Sequence, residues 1–227
     1  MLRTAAIALI AMLAATAAAS ADDHPKDMCL GLGIDRSGKL QAGRITQAST
    51  GVISSASPPR SSFATGEPVV IVRTSGAYTC VIAAKPASYR GETSGWIPAN
   101  HVRVLPTDKS RPTDKWWIGF WKSPRSTILF QIRDHRLWVS GSSTWQGLGE
   151  PHFGEFGGHP FAHSAGFRVN DDDTPERADK DLFSGDCQLQ MVAVGDRMAV
   201  VDSGNCGGWN ISFTGFYSRS HPKTHRQ

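Results

Sequence analysis

The stretch Gly185-Asp-Cys187-Gln-Leu189-Gln-Met191-Val-Ala-Val194-Gly195-Asp196-Arg197-Met198-Ala-Val200-Val-Asp202-Ser-Gly204-Asn-Cys206-Gly-Gly-Trp209-Asn-Ile211-Ser-Phe213-Thr-Gly215-Phe-Tyr217-Ser-Arg219 decides the fold. It reads as three antiparallel strands. Gly195-Asp196 suits a two-residue hairpin loop, which pairs Val194 with Arg197, Met191 with Val200 and Leu189 with Asp202. In that register Cys187, Leu189, Met191, Met198 and Val200 share one face, and Cys206 comes round diagonally to Cys187 on the same side. The last segment alternates Trp209, Ile211, Phe213, Gly215 and Tyr217 against Asn210, Ser212, Thr214 and Ser218, the pattern of a half-buried strand.

The other end of the chain sets the compartment. Arg3 opens a short basic region, residues 5–18 are apolar and Ala19-Ser20-Ala21 offers a small-residue cleavage site, so residues 1–21 read as a signal peptide. The apolar run is too short for a membrane span, and nothing later approaches the ~20 residues one needs. The expectation is an exported protein, periplasmic or secreted, with no membrane span after cleavage. Its four cysteines, Cys29, Cys80, Cys187 and Cys206, are an even set in a compartment that oxidises thiols. Pairing Cys29 with Cys80 and Cys187 with Cys206 is one of three connectivities, and the register above favours it. The formal charge of +4 falls to +3 without Arg3, and it is spread along the chain without the Lys/Arg run of a nucleic-acid binder, so no nucleic-acid partner is expected.

Residues 22–62 are polar and rich in Gly and Ser, and read as a tether partly joined to the next unit through Cys29. Across residues 63–106, short apolar runs alternate with turn residues, the signature of short strands. Here Phe63-x-x-Gly66-Glu67-x-Val69-x-Ile71-Val72, Tyr78-x-x-Val81 and Gly95-Trp96-Ile97-Pro98-Ala99-Asn100-His101-Val102 resemble a bacterial Src-homology-3-like domain. The resemblance covers about a quarter of the mature chain. It implies a small barrel with a groove for extended peptides, lined at the matching positions by Tyr78, Pro98 and His101. Trp96 and Ile97 read as core.

Residues 107–113 contain Pro and charge and read as a linker, so the second unit spans 114–219 before a polar tail, 220–227. That half holds six of the seven tryptophans, and Trp117-x-Gly-x-Trp121 on its expected opening strand faintly resembles lipocalin and avidin-type barrels. Residues 126–140 turn tightly at Asp134-His135, setting Ile132 opposite Leu137 and Phe130 opposite Val139. A short strand over 143–148 follows, then a long irregular segment over 149–184. The fold class is therefore all-β: a small Src-homology-3-like barrel followed by a second antiparallel barrel or sandwich of about seven strands.

Chemistry concentrates in the irregular segment, where His152, His159 and His163 could supply metal ligands beside Glu150 and Glu155. Their spacing matches no established zinc motif. Asp186-Cys187 as a peptidase nucleophile conflicts with its place at a strand start and with the pairing to Cys206. These readings favour a non-catalytic exported binding protein with no cofactor. Its expected ligand is a cell-wall peptide, an envelope protein, or a small apolar molecule in the barrel mouth. Two alternatives stand beside it: an inhibitor of a lysozyme-type hydrolase presenting residues 150–163, and a metal-dependent enzyme using the histidines.

Overall fold

A computed structural model describes residues 25, 28–30, 40–52, 61–84, 92–105, 114–147, 149–163, 166–170 and 187–220. The protein is all-β and its sheets are antiparallel. Seven strands form the first unit: β1 (Gln41–Ile45), β2 (Ser49–Gly51), β3 (Ser61–Phe63), β4 (Pro68–Ser75), β5 (Tyr78–Ala84), β6 (Glu92–Pro98) and β7 (Val102–Val104). Five of them make a sheet in the order β6-β5-β4-β1-β7, and β2 pairs with β3 alongside. A single 3₁₀ turn, Ala99–His101, joins β6 to β7, and a bulge between Ile71 and Arg73 bends β4.

The polar tether gives way to structure much earlier than its composition suggests. β1 sits between β4 and β7, inside the sheet. Its sequence, Gln-Ala-Gly-Arg-Ile, looks poor as a strand because the neighbours need small residues there: a Cβ on Gly43 would stand 3.0 Å from Ile71 Cδ1 and 3.1 Å from Val102 Cγ1.

The second unit opens with a helical turn, α1 (Asp114–Trp117), where a strand was expected. Nine strands follow: β8 (Gly119–Lys122), β9 (Ser126–Arg133), β10 (Arg136–Trp145), β11 (His152–Gly158), β12 (Phe161–His163), β13 (Gly166–Asn170), β14 (Gln188–Val194), β15 (Arg197–Asp202) and β16 (Gly215–Ser220). They form one curled half-barrel in the order β11-β10-β9-β8-β16-β15-β14-β13-β12. The β14–β15 hairpin has the expected register, Val194 on Arg197, Met191 on Val200 and Leu189 on Asp202. The β9–β10 hairpin likewise pairs Ile132 with Leu137 and Phe130 with Val139 around Asp134 and His135, whose φ values of 47° and 61° fit a tight primed turn.

Three expectations for this half are corrected. Residues 143–145 continue β10 instead of starting a new strand. The segment read as irregular contains β11, β12 and β13, while residues 171–184 lie outside the described residues. The final strand covers only Gly215–Ser220, because Asn210 at φ 65° breaks the extended run before it.

The curl encloses Trp117, Trp121, Ile128, Phe130, Val139, Phe156, Leu189, Met191, Met198, Val200, Phe213 and Tyr217. Polar atoms on the large rings are satisfied inside: Trp121 Nε1 donates to Trp117 O at 2.7 Å and Tyr217 Oη to Phe213 O at 2.7 Å. The same core takes in Trp117 from α1 and Ile211 and Phe213 from the loop after β15.

The two units share a further core. Val192, Val194, Ala199, Val201 and Phe216, on the outer face of the curled sheet, pack with Val70, Val72, Tyr78, Cys80, Ile82 and Trp96 of the first unit. β14 and β15 are accordingly buried on both faces, which explains their near-continuous apolar sequence. Both cystines form, Cys29 to Cys80 and Cys187 to Cys206. The first closes the shared core and the second the interior of the curl. The expected linker, 107–113, lies outside the described residues.

Candidate functional site

Residues 203–214 leave β15 and return as β16, and four devices fix them. Cys206 is tied to Cys187. Asp202, only 2% exposed, accepts from Gly204 N at 2.9 Å through Oδ1. Its Oδ2 accepts from Ser212 Oγ at 2.9 Å, from Thr214 N at 3.1 Å and from Phe213 N. A buried carboxylate is tolerable only when its lone pairs are filled in this way. Ile211 and Phe213 are buried, and Phe213 meets Phe156 edge to face at 4.9 Å. Finally, Ser126 Oγ donates to Ser143 Oγ at 2.8 Å, and Ser143 Oγ donates to Ser212 O at 3.1 Å, which ties the loop to β9 and β10.

The loop also interlocks with β11 through glycines. A Cβ on Gly154 would stand 2.5 Å from Cys206 O, and one on Gly207, at φ 148°, would stand 2.8 Å from Gly154 Cα. No other residue type lets the two backbones approach so closely. His152 Nδ1 donates to Trp209 O at 2.7 Å; since a carbonyl only accepts, Nδ1 carries the proton. The Trp145 ring lies 5.2 Å from the His152 ring.

What this scaffold holds out to solvent is Trp209, 84% exposed, between Gly207-Gly208 and Asn210. Phe153, 65% exposed, stands on the neighbouring edge strand β11. An indole exposed on a loop with so many tethers is unusual, because large aromatics normally bury themselves or contact a partner.

Compared with family models, curated proteins and solved structures, the chain matches none.

His152 and His159 flank opposite ends of β11, about 20 Å apart at the rise of a strand. Each spends Nδ1 on a backbone carbonyl, His159 on Leu137 O at 2.8 Å, and His159 packs edge-on to Trp138. These two cannot share an ion. The His163 side chain lies outside the described residues, and among the described residues no three His, Cys, Asp or Glu side chains are grouped for a metal.

Tyr78 and Pro98 are cross-strand partners on β5 and β6, and His101 ends the 3₁₀ turn that follows. Tyr78 is only 4% exposed and belongs to the shared core, which leaves Pro98 and His101 as the accessible members of that set. His101 Nδ1 and Ser49 Oγ share a hydrogen bond of 2.5 Å that fastens the start of β2. With all four cysteines paired, Cys187 offers no thiol nucleophile. Among the described residues no helix is long and apolar enough to cross a membrane.

Sequence reasoning missed Trp209, which alternation placed on the buried side of a strand, and Phe153, which fell in a supposed loop. The available signal was local: Cys206-Gly-Gly-Trp209-Asn is a run of turn formers around one large aromatic.

Proposed function

We infer that this is an exported, non-catalytic binding protein of the bacterial envelope whose contact surface is the Trp209 loop with the start of β11. The reading is carried by one observation: a Trp 84% exposed at the tip of a loop fixed by a cystine, a buried carboxylate and a histidine. Trp is the residue type most enriched among binding hot spots, and a loop ordered beforehand loses little entropy on association. Glycines on one side and Asn210 on the other leave the indole on a narrow prow, suited to a concave protein surface. Export is supported by residues 1–21 and by the two cystines.

Support for the Src-homology-3-like assignment of the first unit comes from its strand order and from the 3₁₀ turn between β6 and β7. With Tyr78 turned inward, that unit serves chiefly as the platform on which the curled sheet rests.

The test is cross-linking of the mature protein to envelope extract, then titration of the purified captured protein against wild type and Trp209→Ala. The reading requires a loss of ten-fold or more in affinity with the melting midpoint unchanged. Equal affinities would refute it. Sedimentation with purified peptidoglycan checks the wall-peptide alternative.

A second reading, inhibition of a lysozyme-type hydrolase, is favoured by the adjacency of His152 and Trp209, which joins part of the 150–163 segment to the loop in one convex wedge. A lysozyme turbidity assay with the purified protein decides it.

A further inference from the structure

We propose that the end of the curled sheet opposite Trp209 docks on the surface of an anionic phospholipid bilayer through the β9–β10 hairpin tip. The tip reads Ile132-Arg133-Asp134-His135-Arg136. Arg133 and Arg136 are direct cross-strand partners, an arrangement that costs stability because like charges face each other. Both are exposed, and among the described residues neither makes an ion pair.

Arg133 is nevertheless held in place. Its guanidinium lies 4.8 Å from the centroid of the Trp138 ring, and the end of the Gln131 amide sits 2.6 Å from Nε and Nη2. Strand register brings further charge to this end: Lys115 on α1, Arg197 at the start of β15 and Arg219 near the end of β16. Asp134 and Asp196 are the carboxylates set against these five cations among the described side chains.

Charge alone would suit any polyanion. Ile132 selects among them, because it is 52% exposed beside the two arginines and gains nothing from a soluble phosphate chain. An exposed isoleucine beside arginines at a narrow tip fits the interface of a charged bilayer: the isoleucine enters the acyl boundary while the guanidiniums meet headgroup phosphates.

The experiment is co-sedimentation of the full mature chain with vesicles of phosphatidylcholine alone or with one-third phosphatidylglycerol, across a salt series. Binding should need the anionic lipid and weaken with salt. Arg136→Gln, which removes no contact seen in the structure, should weaken it roughly fivefold, and Ile132→Ser by a similar factor, with melting midpoints unchanged. Four results would overturn the proposal: no binding to anionic vesicles, equal binding to neutral ones, indifference to both substitutions, or capture of inorganic polyphosphate that Ile132→Ser leaves intact while lipid binding is absent. Trp209→Ala should not alter sedimentation, so the two surfaces can fail independently.

Discussion

Asp202→Asn isolates the device that holds the Trp209 loop. The carboxylate accepts from four donors, Gly204 N, Ser212 Oγ, Phe213 N and Thr214 N, in a site 2% exposed. An amide has nearly the same shape but one oxygen, and its NH₂ group must face at least one N–H. A buried donor left unpaired costs about 1–3 kcal/mol, and the remaining bonds lose their charge assistance, so the expected destabilisation is about 3 kcal/mol. For a chain of this size that lowers the melting midpoint by about 6–12 °C. Differential scanning calorimetry measures it, and amide hydrogen exchange should show protection lost first at Gly204, whose N–H would face the new NH₂ group. A change under 1 kcal/mol, or exchange rising uniformly, would refute the claim that this carboxylate organises the loop.

Other perturbations address the remaining supports. Gly154→Ala puts a methyl 2.5 Å from Cys206 O, so it should cost roughly 1–3 kcal/mol in chemical denaturation and shift the indole environment at Trp209. Phe216→Ala empties part of the core shared by the two units and should cost about 3–5 kcal/mol, whereas separately folded units would lose much less. Replacing Cys187 and Cys206 together by Ala opens a loop with a sequence separation of 19, and denaturant titration should show a loss of about 3 kcal/mol.

The sequence revealed hairpins well because their information is local. Gly195-Asp196 and Asp134-His135 each fix a turn, and the alternation beside them fixes a register, so the pairings of β9–β10 and β14–β15 could be read residue by residue. The Cys187–Cys206 pairing followed from the same geometry. What stayed hidden depends on distant neighbours. β1 and β11 carry Gly43, Gly154 and Gly157 because side chains or backbone from elsewhere occupy the missing Cβ positions, and those glycines mimic loop composition. Alternation over residues 209–217 was genuine at Ile211, Phe213 and Tyr217, all buried, yet the chain reaches those positions through an irregular path stitched by Asp202. Trp209 was therefore assigned to the wrong side of a strand that begins only at Gly215. The register assigned β14 and β15 one shared face; their second buried face, against the first unit, went unread because nothing local named that unit as the partner.

The most direct test of the account is the affinity of the purified envelope partner for wild type and Trp209→Ala, measured by isothermal titration calorimetry alongside melting curves for both. The account requires a ten-fold or greater loss with unchanged melting, since the indole is exposed and contributes nothing to the core. Equal affinities, or a midpoint that falls with the substitution, would show that Trp209 is not the contact residue argued for above.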